Sequence, residues 1–267
     1  MVTNTANRNR QPKGTNKGGQ FAPETRTAAP TDLDTGEQPN IISYYPNGNP
    51  KLELWRDSNG DLGRTDGPAR IEYRPDGTIK HEEWWQDDQR HRIDGPAWID
   101  YYENGSIEHE EWHQNGHLHR EGGPASINYY EDGNIEREGW WQSGGCHRDD
   151  GPARIIYYEN GAPRHENWCQ EGVVHRDDGP AWVDYNPNGT IRKESWYQNN
   201  QQHRADGPAI IEYDPDGTIT LEEWRIDGKL HRTDGPAYIS YNPNGTIKRE
   251  EYWQNGEQII PADAQKH

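Results

Sequence analysis

The dipeptide Gly-Pro recurs at a fixed interval of 28 residues, at Gly67-Pro68, Gly95-Pro96, Gly123-Pro124, Gly151-Pro152, Gly179-Pro180, Gly207-Pro208 and Gly235-Pro236. A period of this size is the signature of a repeat architecture, in which one supersecondary unit stacks on copies of itself. Side chains common to every unit then serve the unit. Recognition is expected where the units differ.

Within residues 91–118, Ala97, Ile99 and Tyr101 alternate with Trp98, Asp100 and Tyr102, the period-two pattern of a half-buried strand. Glu103-Asn104-Gly105 breaks the pattern with a turn signal, and equivalents recur from Pro75-Asp76-Gly77 to Pro243-Asn244-Gly245. A second strand is expected from about Ser106 to Gln114, followed by a turn at Asn115-Gly116. Ile107 and Trp112 differ in parity, so a bulge near Glu110 is needed to place both on one face. Each unit is therefore one hairpin. The predicted fold is all-β, an elongated antiparallel hairpin meander of about 14 strands, roughly 65 Å long at ~4.8 Å between strands. An open twisted sheet is preferred to a closed barrel. A 28-residue unit is too short for a four-stranded propeller blade, which takes roughly 40.

Tyr44-Tyr45-Pro46-Asn47-Gly48 and Trp55 form a degenerate first unit, and Tyr252 replaces the usual Trp in the last. Atypical ends are expected of a repeat stack. The predicted organisation is a flexible tail over 1–40, a repeat domain over 41–258 and a C-terminal tail over 259–267.

Only 29% of residues are hydrophobic and the formal net charge is −18, a balance that by itself describes a disordered chain. The 12 Trp and 15 Tyr argue otherwise, because each buries a large apolar body and keeps a polar tip. Acidity on this scale repels nucleic-acid phosphates and favours basic protein partners; imitation of DNA is a lesser alternative. No stretch reads as a membrane span or a signal peptide, so a cytoplasmic protein is expected. Cys146 and Cys169 fall at unlike positions of neighbouring units, and no bridge between them is expected.

Four polar columns recur. His stands at 91, 119, 147, 175, 203 and 231, with Arg after each; Asp precedes most of the Gly-Pro pairs; and Glu stands at 82, 110, 138, 166, 194, 222 and 250. Together they suggest metal or acid–base chemistry. Yet a catalytic site needs one constellation rather than repeated copies, so the columns are read as architecture, with neither metal nor cofactor. Arg and Glu are expected to pair between units, and Asp to satisfy turn amides. His113, His117 and His119 are locally dense, and are read as one ladder His plus turn residues. The Trp84, Trp112, Trp140, Trp168, Trp196, Trp224 column is read as core.

The variable positions carry the candidate partner-binding residues. Trp98, Tyr102, Tyr130, Tyr158 and Trp182 are expected to cluster mid-sheet on the face opposite Ala, Ile and Tyr, joined by Trp85, Trp141, Tyr197 and Trp253 from the second strand. Exposed aromatics ringed by charge are the composition of a binding hot spot.

The unit His-Arg-x-Asp-Gly-Pro-Ala-x-Ile-x-Tyr-x-x-Asn/Asp-Gly-x-Ile-x-x-Glu-x-Trp resembles MORN-type repeats over roughly residues 41–258. It is similar to the MORN-like variant of bacterial antitoxin-type, phage and giant-virus proteins. That resemblance implies a hairpin sheet with protein or lipid contacts. The His-Arg-x-Asp-Gly-Pro segment departs from the family pattern, so antitoxin activity does not carry over directly. Arg10-Gln-Pro-Lys-Gly-Thr15 with Gly18-Gly-Gln-Phe-Ala22 resembles a segment of actinobacterial and phage-associated proteins, which implies such a source and a docking or sorting role. The expected function is non-enzymatic capture of a basic protein partner, as an inhibitor or antitoxin. The alternatives are a carbohydrate- or nucleotide-binding module and a hydrolase using the repeated His, Asp and Glu.

Overall fold

The computed structural model describes residues 39–260, and these form an all-β chain. Of the tails expected over 1–40 and 259–267, residues 1–38 and 261–267 lie outside the described residues. Sixteen strands form one antiparallel sheet in strict chain order, from Ile41–Tyr44 at one edge to Ile247–Glu251 at the other. The sheet is open. The degenerate first unit adds Ile41–Tyr44 and Pro50–Leu54 to the strands of the full units, so the sheet extends about 70 Å.

A full unit is a long hairpin followed by a short one. Trp98–Tyr101 pairs with Ile107–Glu111 across a tight turn, where Gly105 takes φ 83° and Asn104 Oδ1 accepts the Ser106 N–H at 2.8 Å. The second strand does not run on to Gln114. It stops at Trp112, whose N–H donates to the Ala125 carbonyl of the next unit at 2.7 Å. His113–Gln114 and His117–Leu118 then form a separate two-stranded hairpin, and seven such hairpins follow one another along the chain. The bulge also sits earlier than expected. Asp100 opposes His109 and Tyr101 opposes Ile107, which leaves Glu108, not Glu110, as the extra residue. This one insertion turns Ile107 to the face shared by Glu110 and Trp112.

The shared columns build that face. Ala97, Ala125 and Ala153 are wholly buried, with Ile99, Ile127 and Ile155 beside them. Arg64, Arg92, Arg148, Arg176, Arg204 and Arg232 pair with the Asp two residues on rather than with the expected Glu. Arg92 lies 4.1 Å over the Trp84 ring, donates through Nε to Asp94 at 2.9 Å and through Nη1 to the Pro96 carbonyl at 3.2 Å. A Cβ on Gly95 would fall 2.7 Å from the Arg92 Cζ. The Gly of Gly-Pro is thus the bare surface against which the guanidinium lies flat. Asp accepts from Arg rather than serving the turn amides alone.

The Glu column serves the next unit's Tyr. Tyr101 donates to Glu82 at 2.6 Å, Tyr129 to Glu110 at 2.6 Å and Tyr157 to Glu138 at 2.8 Å, and the ladder continues to Tyr241 on Glu222 at 2.6 Å. Burial, then the neighbouring carboxylate, pushes the Tyr129 hydroxyl well above the ordinary tyrosine range. Tyr129→Phe removes the hydroxyl donor from buried Glu110 and is expected to cost about 1–3 kcal/mol. A lowered urea midpoint checks this; an unchanged one refutes the ladder's role.

The His column serves the turns of the short hairpins. His119 Nδ1 accepts the Ser143 N–H at 3.2 Å, His147 that of Glu171 at 3.2 Å and His231 that of Asn255 at 3.1 Å. Ser143, Glu171 and Asn255 have φ of 48°, 49° and 52°, a left-handed conformation that costs a non-glycine residue energy. The histidine that opens each of these units therefore fixes the strained turn of that unit's own short hairpin.

Candidate binding face

The opposite face carries the side chains that vary, and register sets their order. Trp98 lies between Glu83 and Glu111 in one row, and Asp100 between His81 and His109 in the adjacent row. Trp98 is half-buried. Its Nε1 donates to Asp100 at 2.7 Å, Arg90 lies 4.0 Å over its ring and His81 meets it edge-on at 4.3 Å. The same grouping recurs three units on. Trp182, 37% exposed, donates to Asp184 at 3.3 Å and meets His165 edge-on at 4.1 Å. Six strand spacings, about 29 Å, separate the two tryptophans.

The other aromatics stand in two further rows with partners of their own. Tyr102, Tyr130 and Tyr158 form a row beside the tight turns. Each hydroxyl donates to a backbone carbonyl of the following unit, those of Tyr129, Tyr157 and Tyr185, at 2.7, 2.9 and 2.8 Å. Trp85, Trp141, Tyr197 and Trp253 lie on the short hairpins. Trp85 Nε1 donates to Glu83 at 2.7 Å and Trp253 Nε1 to Glu251 at 2.8 Å, while the Tyr197 hydroxyl accepts from Gln202 at 3.2 Å. Trp141 lies under Arg154 at 4.8 Å and against Gly139, where a Cβ would meet its Nε1 at 2.7 Å.

Sequence reasoning missed a polar chain beneath Trp98. Wholly buried Glu83 accepts from Arg70 at 2.8 Å, from Arg90 at 3.3 Å and from Trp85, and bonds His81 Nε2 at 2.7 Å. His81 Nδ1 reaches Asp100 at 2.7 Å; His109 lies 3.7 Å from Asp100 and 3.5 Å from Glu111; and His113 Nε2 bonds Glu111 at 2.8 Å. Burial opposes the Glu83 charge, yet His81, Arg90 and Arg70 hold its pKa down at about 2. Burial pulls the His81 pKa down, but Asp100 and Glu83 outweigh it and raise the value above the ordinary one. Among the described residues no group of three or more His, Cys, Asp or Glu is arranged to hold a metal ion. The available signal was positional: His81, His109 and His113 stand outside the recurring His column.

Two further features were hidden in the sequence. Asp150, Asp178, Asp206 and Asp234 bond Arg Nε at 2.8–3.0 Å, yet their side chains remain 79–85% exposed, as do those of Asp149 and Asp177. They form a row of carboxylates along the Gly-Pro edge of the sheet. Cys146 and Cys169, at unlike positions, pack in one buried cluster with Ala153, Trp140, Trp141 and Val174. Both are free, and the Cys169 thiol donates to Asn167 Oδ1 at 3.0 Å.

Among solved structures, the TcdB2–TccC3 crystal structure is 11% identical to this chain, over 82% of this chain and 15% of that one, with a TM-score of 0.17. The Photorhabdus luminescens Tc holotoxin pore is 11% identical over 79% of this chain and 14% of that one, with a TM-score of 0.15. Alternansucrase in complex with isomaltononaose is 12% identical over 73% and 18%, with a TM-score of 0.11. The chain spans less than a fifth of each of these proteins, and at such TM-scores the likenesses establish neither a shared fold nor a shared activity. No curated protein matches. A family profile described as MORN repeat variant matches residues 237–255. This stretch holds the long hairpin of the last full unit, and the same hairpin recurs in every other unit.

Proposed function

We propose that the chain is a non-enzymatic scaffold that captures a basic protein partner and blocks it, as an inhibitor or antitoxin does. The observation that carries this reading is the pairing of two elements on one continuous sheet. A row of exposed carboxylates lines the Gly-Pro edge, and an aromatic face, with Trp182 its most open ring, lies beside it. The carboxylates steer a basic partner, and the aromatics supply desolvated contacts once it docks. A MORN repeat variant in the last unit suits a scaffold of this kind. Nδ1 of His91, His119, His147, His203 and His231 each accepts a turn N–H, a repeated use that supports an architectural role for the column.

The test uses the full chain, immobilised, against extract from its source, with captured protein then purified for kinetics. Trp182→Ala is expected to weaken binding about 10-fold or more. Asp177→Asn with Asp178→Asn is expected to slow association and flatten its salt dependence. Binding indifferent to salt and inhibited by a free sugar or nucleotide would favour the small-ligand alternative instead.

A further inference from the structure

Eight large hydrophobic side chains are exposed among the described residues, and six lie at the two ends of the sheet. Ile41, Ile42 and Tyr44 stand on the first strand and Ile247 on the last, with Ile259 and Ile260 following the short hairpin beyond it. Natural sheets blunt a free edge with proline, bulges or inward charge. Neither outer strand contains proline, and the bulge at Lys248 is the one that an interior second strand such as Ile191-Arg-Lys-Glu-Ser carries at Arg192 while still pairing with the next unit.

The two edges are also complementary. Every interior joint between units sets a second strand against the next first strand in one register, as in Glu83 opposite Trp98, Glu82 opposite Ile99 and His81 opposite Asp100, with the later unit's Tyr bonded to the earlier unit's Glu. Tyr44 occupies the Tyr position of the first unit, opposite Pro50 as Tyr73 is opposite Ile79, and it is 60% exposed. Glu250 occupies the Glu position of the last unit, opposite Ile239, and accepts from the Tyr252 hydroxyl, two residues on, at 3.3 Å.

We propose that the protein associates head to tail with second copies of itself, the Ile41–Tyr44 edge of one molecule adding as the next strand to the Ile247–Glu251 edge of another. The interior register then sets Glu251 opposite Ile41, Glu250 opposite Ile42 and Arg249 opposite Ser43, with the Tyr44 hydroxyl on Glu250. The contact joins unlike surfaces, so it generates an open series rather than a closed dimer.

The test is sedimentation velocity on the full chain from low to high micromolar concentration. The expected result is a mean mass that climbs above the 30.8 kDa monomer. Trp84 N–H bonds the Ala97 carbonyl across an interior joint, and alternation turns the N–H groups at the Glu82 and Ile99 positions to the same joint. Ile42→Pro and Glu250→Pro therefore remove outward donors at sites where an edge strand tolerates proline. Each variant alone is expected to stay monomeric, and an equal mixture to form dimers and nothing larger, because each variant still offers one intact edge. Ile42→Asp, which sets a carboxylate against Glu250, gives the same outcome as Ile42→Pro where a proline lowers the melting temperature. A native chain that stays monomeric throughout, or a variant that dimerises by itself, overturns the proposal.

Discussion

Glu83→Ala is expected to destabilise the N-terminal units by about 3–5 kcal/mol, the range for removing one partner from a buried charge network. The residue is wholly buried and joins four partners: Arg70, Arg90, His81 and the Trp85 indole. Its removal leaves two guanidinium groups and a half-buried indole N–H short of an acceptor, with Trp98 stacked on one of those groups. Urea unfolding followed by tryptophan fluorescence measures the loss; a change under 1 kcal/mol would refute the network's role. The pH dependence has a definite sign. Glu83 titrates near 2 in the folded chain, below the unfolded value of about 4.3. Its contribution is therefore present above about pH 4.3 and fades as pH falls toward 2. His81 is raised above about 6.5, so its share is complete below that pH and is lost as pH rises through the elevated folded value. The gap between native chain and variant should be widest between about pH 4.3 and 6.5 and narrow on either side.

Arg176→Ala is the second large loss, at about 2–4 kcal/mol. The guanidinium lies 4.2 Å over Trp168 and donates to Asp178 at 2.8 Å and to the Pro180 carbonyl at 3.3 Å. A cation–π contact contributes roughly 0.5–2 kcal/mol and a charge-assisted hydrogen bond about 1.5–3. Solvent screening around the exposed Asp178 keeps the sum near the lower end. Arg176→Lys should not restore it, because a compact ammonium cannot lie flat between a ring and a glycine. Gly179→Ala places a Cβ 3.0 Å from the Arg176 Cζ and should reproduce part of the loss. If both act through the same stack, the double variant will cost less than the two single costs combined. Strict additivity, or an unchanged melting temperature for Arg176→Ala, would refute the stack.

The meander was legible because its signals are local. Gly105 must turn, Ile99 and Tyr101 must share a face, and the interval between Gly-Pro pairs fixes the unit. Partner choice among the polar columns was not legible. Arg, Asp and Glu of one unit offer several charge pairings, and only the distance between strands decides that Glu82 meets Tyr101 while Arg92 folds back on Trp84. The break at Trp112 was invisible for a similar reason, since a strand that continues and one that restarts after a single residue share the same composition. Cys146 and Cys169 meet because adjacent short hairpins pack side by side, a relation that unit alignment does not contain. The aromatic columns were legible in the repeat, but their hydrogen bonds to Asp100, Asp184 and the Tyr carbonyls could not be read from spacing.

Each clamp described above either joins one unit to its neighbour, as Tyr on Glu and Tyr on a carbonyl do, or stays within one unit, as His on a turn amide does. Excising a 28-residue block between two Gly-Pro pairs would therefore rejoin equivalent partners and leave the remaining joints intact. Recombination between similar coding segments can lengthen or shorten such a chain without redesigning it. The molecule is in effect a ruler, with a span set by copy number.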